Sequence, residues 1–255
     1  MSTKIDIEDI LEIAKEAGDR ILDIYNDPIH AAHIESKDDN SPLTLADKAA
    51  HNVIVKALAE QYPDIPIISE EGGQIEYEER NKFLSFWLVD PLDGTKEFIK
   101  RNGEFTVNIA LIEANETALG VVYAPIWDTF YYGEVGKKAF KRSSDGTQEI
   151  QVNNSSSERI AVRSKSHAAV EEEEVLEKYN AVESISVGSS LKFCMVAEGK
   201  ADFYYRHGPT MEWDTAAGQA VVEAAGGAVL KERGPDKFTY NKESLLNSSF
   251  LCLGF

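Results

Sequence analysis

Trp87-Leu88-Val89-Asp90-Pro91-Leu92-Asp93-Gly94-Thr95 is the stretch on which the reading of this chain turns. A short apolar run bounded by turn residues reads as a buried strand. It delivers two carboxylates, a proline that stiffens the turn, a glycine that relaxes it and a hydroxyl to one place. Carboxylates at the end of a buried strand are costly unless a counter-charge meets them. A hard divalent cation such as Mg2+ takes oxygen ligands, and Asp90, Asp93 and the carbonyl of Leu92 can converge on one. The plainer alternative is that the aspartates only cap a turn.

Working outward, two more acidic clusters stand in similar positions. Ser69-Glu70-Glu71-Gly72-Gly73 follows the apolar run Ile65-Pro66-Ile67-Ile68, so two strands of one sheet would bring Glu70 beside Asp90. Met211-Glu212-Trp213-Asp214-Thr215-Ala216-Ala217-Gly218 opens a predicted helix of small apolar residues. Alone, Asp214 reads as an N-cap; facing the other clusters it completes a cation cage. Four carboxylates around two or more Mg2+ ions suit phosphoester hydrolysis. One ion activates water while its neighbour, about 3.5–4 Å away, stabilises the leaving oxygen. Asp47 and Thr95 form a candidate dyad in which the carboxylate takes the proton of that water through the hydroxyl. Asp47 also reads as a capping-box acid, since Thr44-Leu45-Ala46-Asp47 looks like a helix start.

Together DPLDGT, SEE, WDTAAG and the segment DNSPLTLAD at 39–47 resemble the lithium-sensitive, magnesium-dependent phosphatase superfamily, which contains inositol monophosphatases, fructose-1,6-bisphosphatases and 3'(2'),5'-bisphosphate nucleotidases. The resemblance spans about residues 5–230 and implies a layered α-β-α-β-α sandwich. By position it implies metal ligation by Glu70, Asp90, the Leu92 carbonyl, Asp93 and Asp214, with two or three Mg2+ ions, and water activation by Asp47 and Thr95. Glu70, Leu92, Asp93, Gly94, Thr95 and Asp214 then also surround the reacting phosphate.

Val187-Gly188-Ser189-Ser190-Leu191-Lys192-Phe193-Cys194 and Ala197-Glu198-Gly199-Lys200-Ala201-Asp202 are similar to the bacterial bisphosphate nucleotidases, which hydrolyse adenosine 3',5'-bisphosphate to AMP and phosphate. A second phosphate has candidate partners. Ser189 and Ser190 stand at a predicted helix start, Lys192 adds a charge and Arg206 offers a bidentate fork. His167, in the loop RSKSH, is implied to reach the nucleotide. The plainer reading of Lys192 and Arg206 is ordinary surface charge. His207 departs from the pattern and has no assigned role.

Other classes fit less well. In the haloacid-dehalogenase signature an aspartate two residues before a second aspartate is phosphorylated, and here Pro91 stands in that place. A cation-binding protein without catalysis predicts a defect in the Asp47–Thr95 pair, which is intact. An inositol monophosphatase is the alternative within the superfamily.

The flanking pattern predicts an α+β first half and an α/β second half. From Ile7 to Ile24 apolar residues recur at three and four, giving a helix that ends before Pro28. A second helix follows Thr44. Strands are expected at 65–68, 83–89, 105–111, 119–123 and 129–134, forming an antiparallel sheet. Beyond them strands at 160–162, 184–187, 201–205 and 228–230 alternate with helices at 170–179, 191–198 and 215–225. The polar segment 141–159 is the expected seam between lobes 1–150 and 151–255. The acidic run 171–174 reads as a solvated helix face near its positive dipole end.

The 255 residues are 43% hydrophobic and carry a net charge of -18, which excludes disorder and repels nucleic acid. Cys194 and Cys252 lie in apolar surroundings and read as buried thiols in a reducing compartment. The N-terminal stretch lacks a signal peptide's apolar core, and no run reaches the roughly 20 apolar residues of a membrane span. The expectation is a cytoplasmic monomer or homodimer acting on a small nucleotide. Relatives extend this to peripheral docking at the inner face of the inner membrane.

Overall fold

The computed structural model describes residues 5–28, 41–154, 158–163 and 170–255. Seven strands form the first sheet in chain order: β1 Ile67–Ser69, β2 Ser85–Asp93, β3 Thr106–Glu113, β4 Glu116–Ala124, β5 Thr129–Glu134, β6 Ala139–Ser143 and β7 Gly146–Ile150. All neighbours are antiparallel except β1 and β2, which run parallel. The second sheet orders as β11 (Ala228–Lys231), β12 (Phe250–Leu253), β10 (Phe203–Arg206), β8 (Arg159–Arg163) and β9 (Ala181–Ser186). There β8 is parallel to β9 and β10, while β12 is antiparallel to both of its neighbours.

Helices complete five layers. The outer layer is α1 (Ile7–Asn26) and α2 (Pro42–Gln61); the Asp6 side chain caps α1 by accepting from the N–H of Glu8. Ile10, Ala14, Ala17 and Ile21 on α1 pack with Trp87, Val89, Ile109 and Val121 of the sheet beneath. On the sheet's other face Phe86, Leu88, Ala110 and Ile112 meet the central helices, α6 (Leu191–Ala197) and α7 (Trp213–Ala224). A last helix, α5 (Val170–Lys178), covers the second sheet. Because β2 and β3 are covered on both faces, they read as continuous apolar runs rather than alternating ones. The two-residue period puts Asp90 on the same inner face as Leu88, towards α7.

Three expectations need correction. The second helix begins at Pro42 rather than Thr44, with Ser41 as its N-cap: the Ser41 Oγ accepts from the N–H of Thr44 at 3.2 Å. Asp47 therefore lies inside the helix and is not a capping acid. Residues 141–150, expected in the polar seam, belong to the β6–β7 hairpin at the sheet's edge; β7 is exposed along most of its length and so has no apolar alternation. β12 was not expected at all, yet it is an interior strand of the second sheet, paired between β11 and β10. Ile150 closes the first sheet and Arg159 opens the second, and the inner cluster draws on both, from Leu88 to Cys252.

Close packing of α7 on the first sheet depends on Gly120. A Cβ built there would lie 2.3 Å from the Ala217 carbonyl oxygen and 2.7 Å from the Ala220 Cβ, so helix and strand cannot keep their separation with any side chain present. Gly120→Ala is expected to destabilise the protein by about 1–3 kcal/mol, read as a lower urea midpoint at unchanged slope. Stability equal to that of the unsubstituted protein would show that α7 can shift at no cost.

Candidate active site

The turn at the end of β2 is built by its sequence. Asp90 faces Asn108 in the antiparallel ladder, and the register breaks between Asp90 and Asp93, where Pro91 has no N–H to give. The Asp90 Oδ1 accepts from the N–H of Leu92 at 3.1 Å, folding the chain over the buried carboxylate. Gly94, at φ 99°, adopts the left-handed conformation that starts α4 (Thr95–Ile99). Thr95 thus opens a helix beside the acidic turn. From the parallel neighbour β1, the N–H of Glu70 donates to the Val89 carbonyl at 3.1 Å, which carries Glu70 to the same end of the sheet.

Asp214 arrives from the other side. Glu212, not Asp214, is the cap residue of α7, and Asp214 is second in the helix, its Oδ2 accepting from the N–H of Met211 at 2.8 Å. The loop beneath is held by buried ions. Glu212 is fully buried and accepts from the Asn241 N–H, the Lys242 N–H and the Lys242 Nζ. Arg80 on α3 (Tyr77–Arg80) grips the same segment through the Asn241 side chain and the carbonyls of Lys242 and Glu243. The segment after Glu70 and the start of α7 are therefore clamped to one strap.

These elements place five carboxylates in one field. The Asp90 carboxyl is 1% exposed and is pushed well above the usual range, first by burial and then by Asp93, Glu70, Asp214 and Asp47. Burial and the charge of Asp93 raise Asp214 to about 7, opposed by the Met211 N–H and by Arg206. Among the described residues no three of these side chains form a closed ligand set; the structure shows convergence and mutual repulsion. An all-oxygen donor set under that repulsion fits a hard divalent cation such as Mg2+. Glu70 itself is exposed and lines a separate groove of about 510 Å³ with Arg80 and Trp213.

A cleft of about 180 Å³ adjoins the turn, lined by Asp93, Gly94, Ser189, Lys192, Arg206 and Asp214 among others. Lys192 is not surface charge. It is 8% exposed, its Nζ donates to the carbonyls of Ser189 (2.7 Å) and Val187 (3.4 Å), and burial lowers it to about 8 against the opposing pull of Asp93. Arg206 ends β10 half-buried, its Nε donating to the Gly208 carbonyl. Ser189 donates to the Asp93 carbonyl at 3.1 Å. Ser190 is turned away from the role expected of it: its buried hydroxyl meets Asp93 rather than an incoming anion. His207 is exposed and stands 3.8 Å from Glu171 on α5. His167 lies outside the described residues.

Sequence reasoning missed Asn108, Glu212 and Arg80. Asn108 reaches Ser190, 82 residues away, Glu212 the Asn241 N–H, 29 residues away, and Arg80 the Glu243 carbonyl, 163 residues away, so no local pattern marks them.

The chain matches the inositol monophosphatase family over residues 6–251. It is 47% identical over 244 residues to the 3'(2'),5'-bisphosphate nucleotidase CysQ of Escherichia coli K12, covering 96% of this chain and 98% of that protein. The Haemophilus influenzae protein of the same name is 36% identical, covering 97% and 92%. Among solved structures, CysQ from Bacteroides thetaiotaomicron, described as a bacterial member of the inositol monophosphatase family, superposes with a TM-score of 0.88 at 42% identity, covering 97% and 96%. An inositol monophosphatase from Zymomonas mobilis shares the fold at 23% identity, with a TM-score of 0.78.

A raised carboxyl pKa stabilises the fold at pH values below its unfolded pKa, and that contribution is lost as the pH rises through the folded value, here about 7 for Asp214. The metal-free protein should therefore melt lower at pH 8 than at pH 6. Protons compete with the cation, so apparent Mg2+ affinity should rise by up to about tenfold per pH unit below 7. Melting curves of the metal-free protein at the two pH values check the first expectation and calorimetric titration with MgCl2 across this range checks the second; affinity independent of pH would remove Asp214 from the cation site.

Proposed function

The chain belongs to the inositol monophosphatase family, and we propose that within it the protein works as a 3'(2'),5'-bisphosphate nucleotidase, removing the 3'-phosphate of adenosine 3',5'-bisphosphate to give AMP and phosphate. The observation that carries this reading is the pairing, in one cleft, of the acidic turn with the buried Lys192 and with Arg206. A phosphomonoesterase for one phosphate needs only the acidic side; two cationic side chains facing it suit a substrate with a second phosphate. The bacterial relatives that match nearly the whole chain carry the nucleotidase name.

As a member of its family the enzyme is magnesium-dependent and lithium-sensitive. Glu70, Asp90, Asp93, Asp214 and the Leu92 carbonyl would hold two or three ions, which supply charge neutralisation of the reacting phosphate and activation of water. Asp47, buried on α2, and Thr95 take the proton of the attacking water, the hydroxyl passing it to the carboxylate. A P–O bond forms to that water as the bond to the 3'-oxygen breaks, and the 3'-oxygen takes a proton from solvent. Gly94, having no side chain, allows the left-handed turn beside the reacting phosphate and the close approach of the Ser189 Oγ, which a Cβ would meet at 3.0 Å. Lys192, Ser189 and Arg206 hold the 5'-phosphate and so set which ester faces the acidic turn.

Among the described residues no helix is long and apolar enough to cross a membrane. We place the enzyme in the cytoplasm on its two free, buried cysteines. Peripheral docking gains no support from a chain of net charge -18, which an anionic membrane surface repels.

Asp90→Asn keeps the shape of the turn and removes a charge from the repelling set. Activity at moderate Mg2+ should fall by more than about a hundredfold, while the metal-free variant should melt no lower than the parent, since repulsion is relieved. Near-parental turnover would sink the assignment.

Lys192→Met and Arg206→Ala should each cost roughly 1.5–3 kcal/mol on the bisphosphate, or about 10–150-fold in kcat/KM. Hydrolysis of 3'-AMP, which lacks the second phosphate, should change little. Equal losses on both substrates, or a parent enzyme that prefers inositol 1-phosphate, would identify an inositol monophosphatase instead.

A further inference from the structure

Ser190 is the residue immediately before α6, and it is 1% exposed. Its Oγ lies 2.7 Å from Asp93 Oδ2 and 3.1 Å from the Asp214 carbonyl oxygen, and it receives the Asn108 Nδ2 at 2.9 Å. Asn108 is equally buried, on β3 opposite Asp90. A hydroxyl has one proton and two lone pairs. The asparagine amide donates, so it occupies a lone pair, and the proton must go to one of the two acceptors. The carboxylate is both closer and charged, so the proton goes to Asp93 Oδ2. Four chain segments meet at this one oxygen: the end of β2, β3, the start of α6 and the start of α7.

We propose that Ser190, fixed by Asn108, is a positioning residue that presents Asp93 to the cation through Oδ1 alone and thereby favours Mg2+ over Ca2+. The proposal rests on the reading of the acidic turn as a cation site. Oδ2 accepts from the Ser190 hydroxyl at 2.7 Å and from the Asn108 Nδ2 at 3.4 Å, so both of its lone pairs are engaged, whereas no hydrogen bond among the described residues falls on Oδ1. The carboxylate plane is held by this bond and, at the backbone, by the Ser189 hydroxyl on the Asp93 carbonyl. Mg2+ is small, demands near-octahedral geometry and takes carboxylates through one oxygen. Ca2+ is larger, accepts six to eight oxygens and tolerates a carboxylate bound through both. A group that keeps one oxygen of Asp93 engaged therefore costs Mg2+ nothing and denies Ca2+ a chelating ligand. Partners outside the ligand set that orient a ligand in this way are commonly worth about 10–100-fold in metal affinity.

The test is calorimetric titration of the free protein with MgCl2 and, separately, with CaCl2, for the parent, Ser190→Ala and Asn108→Ala, with melting curves to establish that each variant is folded. Ser190→Ala removes one oxygen, and Asn108→Ala removes the donor that directs the hydroxyl's proton. In both, Mg2+ affinity should fall by about tenfold or more while Ca2+ affinity falls less or rises, so the ratio moves towards Ca2+. A purely structural role would weaken both cations alike, and that result, or an unchanged ratio in Ser190→Ala, overturns the proposal. A parent protein that binds neither cation at millimolar concentration would instead overturn the cation-site reading itself and this inference with it.

Discussion

Repulsion among carboxylates gathered around the buried Asp90 is the constraint that the rest of the architecture answers. Asp90 feels burial first and then the charges of Asp93, Glu70, Asp214 and Asp47. Left to themselves, such groups would separate into water, because isolated charge in a low-dielectric site is costly. They are held together from four directions by elements whose positions are settled elsewhere. The β2–β3 ladder fixes Asp90 and Asp93, β1 carries Glu70, α2 brings Asp47 and α7 brings Asp214. The apolar layers on both faces of the first sheet provide the stabilisation that offsets this local cost. A cation relieves the repulsion, which is why metal binding and fold stability are expected to move together.

The central helices do two jobs through one packing arrangement. Gly120 lets α7 lie against the first sheet, which brings Asp214 to the acidic turn. Glu212 and Arg80 then tie the base of α7 and the segment after Glu70 to the same strap at 241–243. On α6 the same logic places a lysine where water is scarce: Lys192 keeps its amino group by donating to two backbone carbonyls, and Asp93 opposes the loss of its proton. The cleft thus has an acidic wall and a cationic wall close together, although the chain as a whole is strongly acidic. Local polarity of this kind, rather than net charge, orients a small doubly charged ligand.

WLVDPLDGT was legible on its own terms, because an apolar run, a proline without a donor and a glycine in the left-handed region are local physics that survive in any fold. The long amphipathic α1 and most strands of the first sheet were legible for the same reason. β6 and β7 were not, since an exposed edge hairpin buries too little to pattern its side chains. The start of α2 shifted by two residues because Ser41 could offer its oxygen to the Thr44 N–H ahead of the first expected cap.

What the sequence determined by itself is the identity of the acidic clusters, the layered α+β architecture and the family to which the chain belongs. Each depends on residue types in short consecutive patterns. Tertiary structure alone decided that Lys192 is buried, that Glu70 lies exposed in a separate groove, and that Ser190 donates its hydrogen bond to Asp93 rather than to a ligand. Those outcomes depend on groups 97 residues apart, as for Ser190 and Asp93, meeting within one hydrogen bond. Burial and hydrogen-bond geometry are properties of the packed layers, and a linear pattern carries no record of which layer a polar side chain will face.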